Sequence, residues 1–196
     1  MDTISSNIDR LIGDHGVNAP AVMEAIMVEY GAPIYRLALS ILRDPVDAQD
    51  AAQDTFMRAS TALHRYQLGT NFRAWLQKIA INNCRMTLRK RATRLALHQA
   101  WESFANLVSR QPGIEAQVMQ DETRAELWDI VDKLDEKHRL VVVLRLGHDM
   151  TVKEISQALR INEKTVYTRL YDAFARMRAQ IQTRPEFAHL LNEVKP

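Results

Sequence analysis

Cysteine is almost missing from this chain: Cys84 is the only one in 196 residues. One thiol closes no internal disulfide, and no Cys/His cluster has zinc-ligand spacing, so a reducing cytoplasm is expected, with no metal and no cofactor. Glycine and proline are scarce, six of each, which leaves few breaks in the regular pattern. Long apolar runs are absent too. The longest, Leu140 to Leu144, is far too short to cross a bilayer, so no membrane insertion is expected. The opening Met1-Asp2-Thr3-Ile4 has no basic region followed by an apolar run, and no signal peptide is read. No Ser/His/Asp or Cys/His arrangement is legible among the six scattered histidines, so the chain is not read as an enzyme.

What is present is an ordinary globular balance, 46% hydrophobic and 26% charged, with apolar residues recurring at three- and four-residue spacing. The expected fold is all-α: two small helical domains joined by a linker, the second ending in a helix-turn-helix. Residues 1–20 read as a polar leader and 21–96 as the first domain. Residues 97–120 read as a linker punctuated by Pro112-Gly113, with Trp101 and Phe104 as docking points. The second domain is 121–182, and 183–196 form a tail. In the first domain Ile34, Leu37, Ala38, Ile41 and Leu42 make one apolar face. Asp44-Pro45 then breaks the pattern and caps a helix from Pro45 to about Tyr66. A loop from Gln67 to Asn71 precedes a helix from Phe72 to about Arg94.

The most specific local pattern is TVKEISQALRINEKTVYTRL, Thr151 to Leu170. Thr151 and Glu154 form a capping box. Ile155, Ala158 and Leu159 give a short apolar face, Ile161 plugs between two helices, and Asn162 caps the second. Val166 and Leu170 then face inward. Glu163, Lys164, Tyr167, Thr168 and Arg169 are left outside, with Thr165 near the start. A recognition helix of this kind enters the major groove, with Arg160, Arg169, Arg176 and Arg178 supplying charge for phosphate.

Net charge is only +2, but it is unevenly spread. Asp47, Asp50 and Asp54 lie at i, i+3 and i+7 with Gln53 beside them, on one helix face with no lysine on it. Such a stripe suits a basic protein partner, although an ordinary solvated face has the same composition. From Arg85 to Arg94 run Arg85, Arg89, Lys90, Arg91 and Arg94, with no acidic residue. Basic residues following the aromatics Tyr66, Phe72 and Trp75 fit a single-strand track, although Phe72 and Trp75 at helical spacing also fit a core. Asn82 and Asn83 are poor helix formers, so at least one is expected to have a hydrogen-bonding role.

Together these segments resemble the extracytoplasmic-function branch of the sigma-70 family. Asp47-Ala48-Gln49-Asp50-Ala51-Ala52-Gln53-Asp54-Thr55-Phe56 is similar to the family's D-A-E-D-x-x-Q-E-x-F. Phe72 to Asn82 is similar to F-x-x-W-L-x-x-I-A-x-N, and Leu134 to Arg145 to L-P-x-x-x-R-x-V-x-x-L-R. The chain departs from the pattern at Asp135, where proline is usual, and at Asp172 and Phe174, where basic residues are. The resemblance implies a sigma factor. Asp47, Asp50, Gln53, Asp54 and Phe56 would bind core RNA polymerase, at the coiled coil of its largest subunit. Thr70, Asn71, Asn82, Arg85, Arg89 and Lys90 would hold the melted proximal promoter element. Arg160, Glu163, Lys164, Thr165, Tyr167, Thr168, Arg169 and Arg176 would read the distal element as duplex. Promoter DNA and core polymerase are then the partners, and the family is often held inactive by an anti-sigma factor. The competing reading is a stand-alone helix-turn-helix regulator, for which the acidic stripe has no role.

Overall fold

The computed structural model describes residues 3–17, 19–102 and 128–182. It divides into two compact units, Met1–Ala116 and Gln117–Pro196, and among the described residues there is no strand.

The first unit is built around α2 (Pro20–Leu42). Val22, Ile26, Tyr30, Ile34, Leu37, Ala38, Ile41 and Leu42 are buried along it, a stripe at the three- and four-residue spacing of a core-facing helix. By length and composition α2 is also apolar enough to cross a membrane, unlike the shorter run Leu140 to Leu144. Its buried stripe packs against α3 (Pro45–Ala62) and α4 (Phe72–Glu102), which is how a core helix uses the same composition. α3 turns Ala48, Ala51, Ala52, Thr55 and Ala59 inward. Side chains this small let its backbone lie close to its neighbours. Asp44 caps it as expected, accepting the Asp47 N–H at 2.8 Å, with Pro45 in the first turn.

Two segments differ from the sequence expectation. The stretch read as a polar leader contains a helix, α1 (Thr3–His15), with Ile8 and Ile12 buried against α2 and α4. Its Ile4, Ile8, Leu11 and Ile12 recur at helical spacing, a signal outweighed in the sequence expectation by Gly13, Gly16 and the polar residues between them. α4 continues to Glu102, past its expected end near Arg94 and into the stretch read as linker. No glycine or proline interrupts it there. The side chain of Trp101, together with Phe104, Pro112-Gly113 and the 183–196 tail, lies outside what is described.

A short 3-10 turn, Leu63–Arg65, ends α3. Beyond it Tyr66, Phe72 and Tyr30 pack as a buried aromatic cluster, with Tyr66 edge-on to Phe72 at 5.0 Å between ring centres. Trp75, half-buried, stacks obliquely on both Tyr66 and Phe72. Of the two asparagines, Asn83 has the buried hydrogen-bonding role. Its Nδ2 donates to Thr55 Oγ1 at 3.1 Å, and that hydroxyl donates to Ala51 O at 2.6 Å. This buried chain ties α4 to α3. Cys84, the next residue, is fully buried, and burial pushes its thiol up to about 12.

In the second unit, residues 128–132 are helical (α5). α6 (Glu136–Val142) follows and widens into a π turn over Val143–Gly147. Then come α7 (Val152–Leu159) and α8 (Glu163–Gln182). Leu140 to Leu144, the longest apolar run, lies wholly buried. The Trp128 ring lies over Gly147, so close that a Cβ there would meet it at 3.1 Å. Phe174 is buried with Val166, Leu170, Ala173 and Met177 on the inner face of α8. Its departure from a basic family position therefore serves the core.

Candidate nucleic-acid interface

The turn between α7 and α8 is fixed by its own hydrogen bonds. Thr151 and Glu154 form the expected capping box, each side chain reaching the other's backbone N–H. Arg160 ends α7 in the left-handed region (φ 55°), a conformation that is uncommon outside glycine. The Ile161 N–H donates to Ser156 O at 3.2 Å, and Ser156 Oγ donates back to Ile161 O at 2.6 Å. Asn162 Oδ1 then accepts from both the N–H and the hydroxyl of Thr165, at 2.6 and 2.7 Å. These bonds start α8 in one orientation.

That orientation separates the expected contact residues. Glu163, Lys164, Tyr167 and Thr168 are exposed on α8, and Arg160 on the turn before it. Arg169 is half-buried. Thr165 has its hydroxyl engaged in the cap, and Thr168 donates its own to Lys164 O at 3.0 Å. Each hydroxyl oxygen can still accept. Arg176 is not a free cation: its Nη1 donates to Asp135 Oδ2 at 3.1 Å.

Asp135 is the residue that stands where the family has proline. It caps α6 instead, accepting the His138 N–H at 3.2 Å, with His138 Nδ1 at 2.5 Å. Burial would raise its pKa, but the His138 and Arg176 contacts prevail and hold the carboxyl below its ordinary 3.8. The other ring nitrogen of His138 lies 3.8 Å from Asp172 Oδ2. An open depression joins Lys137 and His138 of α6 to Lys164, Thr165, Arg169 and Asp172 of α8. Lys137, exposed in the first turn of α6, is a lysine that the sequence expectation did not single out.

In the first unit Asp50, Gln53 and Asp54 are exposed along α3, with Phe56 half-buried beside them. Asp47 is different. Arg91 of α4 forms an ion pair with it, lies 3.7 Å from Asp44, and donates to Leu42 O at 3.0 Å. The acidic face therefore draws a cation from a neighbouring helix. On α4, Arg89 and Lys90 are exposed and Arg85 is half-buried. Asn82 donates from Nδ2 to Lys78 O at 2.8 Å, within its own helix. Phe72 and Tyr66 are sealed in the core, so among the aromatics weighed as stacking surfaces only Trp75 keeps an edge outside.

The loop before α4 is ordered by short contacts. Gly69 takes φ +80°, where a side chain would be strained. Thr70 Oγ1 donates to Gln67 O at 2.7 Å, Tyr66 Oη donates to Thr70 O at 2.8 Å, and Asn71 Oδ1 accepts the Ala74 N–H at 3.0 Å. Asn71 itself is exposed.

Comparison with known proteins finds the family described as Sigma-70 region 2 at residues 26–94 and Sigma-70, region 4 at residues 124–177. RNA polymerase sigma factor NccH of Alcaligenes xylosoxydans xylosoxydans is 30% identical over 159 residues, covering 81% of this chain and 86% of that protein. The ECF RNA polymerase sigma factor SigW of Bacillus subtilis is 26% identical, covering 78% and 85%. Among solved structures, CnrH in complex with the cytosolic domain of CnrY superposes with a TM-score of 0.62 at 24% identity, over 92% of this chain and 99% of that one. RpoE from Bartonella quintana, in complex with the anti-sigma factor NepR, gives a TM-score of 0.60 at 18% identity, over 81% and 95%.

Proposed function

This chain belongs to the extracytoplasmic-function branch of the sigma-70 family, and from that premise we propose how its surfaces divide the work of starting transcription. It is a sigma factor, which acts in initiation with RNA polymerase and promoter DNA. On our reading α8 lies in the major groove of a distal promoter element. The capped turn from Arg160 to Asn162 supports this most, because it presents Lys164, Tyr167 and Thr168 together at the N-terminal end of the helix, the end that meets base edges. Lys137 and Arg169 would then meet phosphate.

The exposed Asp50, Gln53 and Asp54 would bind a basic surface of core polymerase, the coiled coil of its largest subunit. The loop Gly69 to Asn71 and the α4 side chains Asn82, Arg85, Arg89 and Lys90 would hold the melted proximal element. Residues 21–96 would thus form the polymerase-binding and melting domain, residues 97–120 the linker and residues 121–182 the duplex reader. Each domain binds weakly alone, and the polymerase joins the two contacts into one strong one. The cytoplasm is where these partners meet. An anti-sigma protein, like the one bound to the Bartonella quintana factor, is a further proposed partner.

Run-off transcription from a promoter library, with purified core polymerase, tests this. Defined start sites that need the protein are expected, and aligning them gives both elements. Duplex binding without any added transcription would overturn the proposal in favour of a stand-alone regulator.

A further inference from the structure

The first described helix reaches the loop that the proposed function assigns to the melted strand. Asp9 follows Ile8, whose side chain is buried between α1 and its neighbours. Its Oδ2 accepts the Gly69 N–H at 3.0 Å, across 60 residues of sequence. The other oxygen, Oδ1, is buried without a hydrogen bond. The Asp9 carboxyl group lies beside Tyr66, whose hydroxyl donates its proton to Thr70 O at 2.8 Å. Asp9 and Tyr66 therefore hold consecutive residues of the loop, Gly69 by its N–H and Thr70 by its carbonyl. Burial foremost, then the nearby Asp9 carboxylate, push the Tyr66 phenol up to about 12 against the lowering effect of the Thr70 side chain beside it. Tyr66 thus stays a proton donor throughout the neutral range.

We propose that Asp9 is a positioning residue for capture of the melted promoter strand. A backbone N–H turned inward onto a carboxylate fixes the peptide plane before Gly69, and with it the direction in which Thr70 and Asn71 project. Gly69 needs such a restraint, because glycine has the widest conformational freedom. The restraint removes, before DNA arrives, an ordering cost that binding would otherwise carry. Asp9 does not touch the nucleic acid in this scheme; it acts through the loop.

The inference rests on the loop's assignment to the melted strand, so the test separates the two. Full-length protein is assembled with core polymerase. Affinity is measured both for core and for a single-stranded oligonucleotide carrying the proximal element found by run-off. Asp9→Ala is expected to lower oligonucleotide affinity about fivefold and leave core affinity unchanged, since one hydrogen bond to a charged acceptor is lost. Asp9→Asn keeps an acceptor oxygen and is expected to stay within about twofold of the native protein. Unchanged or tighter oligonucleotide binding by Asp9→Ala, or an equal loss of core affinity, would overturn the inference. Thr70→Ala and Asn71→Ala report on the loop itself. If they lose affinity and Asp9→Ala does not, only the positioning role fails. If they too bind normally, the loop's assignment fails with it.

Discussion

Arg91 on α4 and Asp47 on α3 form an ion pair that divides the acidic face into a structural part and an accessible part. Arg91 also reaches Asp44 and the carbonyl of Leu42, so it links the end of α2, the cap of α3 and the side of α4. Both partners are partly exposed, and exposed pairs are worth only about 0–1 kcal/mol each. Arg91→Ala should therefore lower the stability of the first unit by about 1 kcal/mol, counting the lost bond to Leu42 O. Denaturant unfolding measures this.

Asp50 has a different role. Replacing it by arginine should leave unfolding unchanged, because the side chain is exposed. It should weaken core-polymerase binding by about tenfold, since a like charge would then face a basic partner. Equal pull-down of core enzyme by native protein and Asp50→Arg would remove α3 from the polymerase interface.

Arg169 and Arg176 both lie on α8, yet they should respond differently. Arg169 borders the depression beside Lys164 and Thr165 and is assigned to phosphate, so Arg169→Ala should weaken duplex binding about equally across distal-element sequences. Arg176 is held by Asp135, so Arg176→Ala should change duplex affinity little and act chiefly on the packing of α8 against α6. Quantitative binding to a panel of distal-element variants compares the two. A sequence-dependent loss for Arg176→Ala would show that the pair opens on DNA.

The Asp135 network also predicts a pH dependence. Its folded carboxyl titrates below the ordinary 3.8, so the folded state favours the ionised form. That contribution is present above the unfolded value and is lost as pH falls through the lower, folded one. Asp135→Asn should remove it, flattening the acid limb of the unfolding curve below about pH 4. Identical acid limbs for the two proteins would exclude Asp135 as its source.

Asn162 carries the turn into α8 through two bonds to Thr165. Asn162→Ala should cost about 1 kcal/mol of stability and weaken duplex binding, while Asn162→Asp, which keeps the acceptor, should retain the fold. Thermal unfolding and duplex titration together check both effects.

The sequence alone determined the helical class, the apolar faces of α2, α7 and α8, and three caps: Asp44, Thr151 with Glu154, and Asn162. All of these rest on local periodicity or on side chains reaching three residues along the chain, which spacing makes legible. It also placed Lys164, Tyr167 and Thr168 on the outside of α8. Tertiary structure decided which charges are free. Arg91 neutralises Asp47 from another helix, Asp135 takes up Arg176, and Asp9 holds Gly69 from sixty residues away. Such pairings depend on how helices cross, and helical periodicity carries no record of the crossing. α1 itself was legible in the helical spacing of Ile4, Ile8, Leu11 and Ile12; the tertiary structure decided that Ile8 and Ile12 pack against α2 and α4.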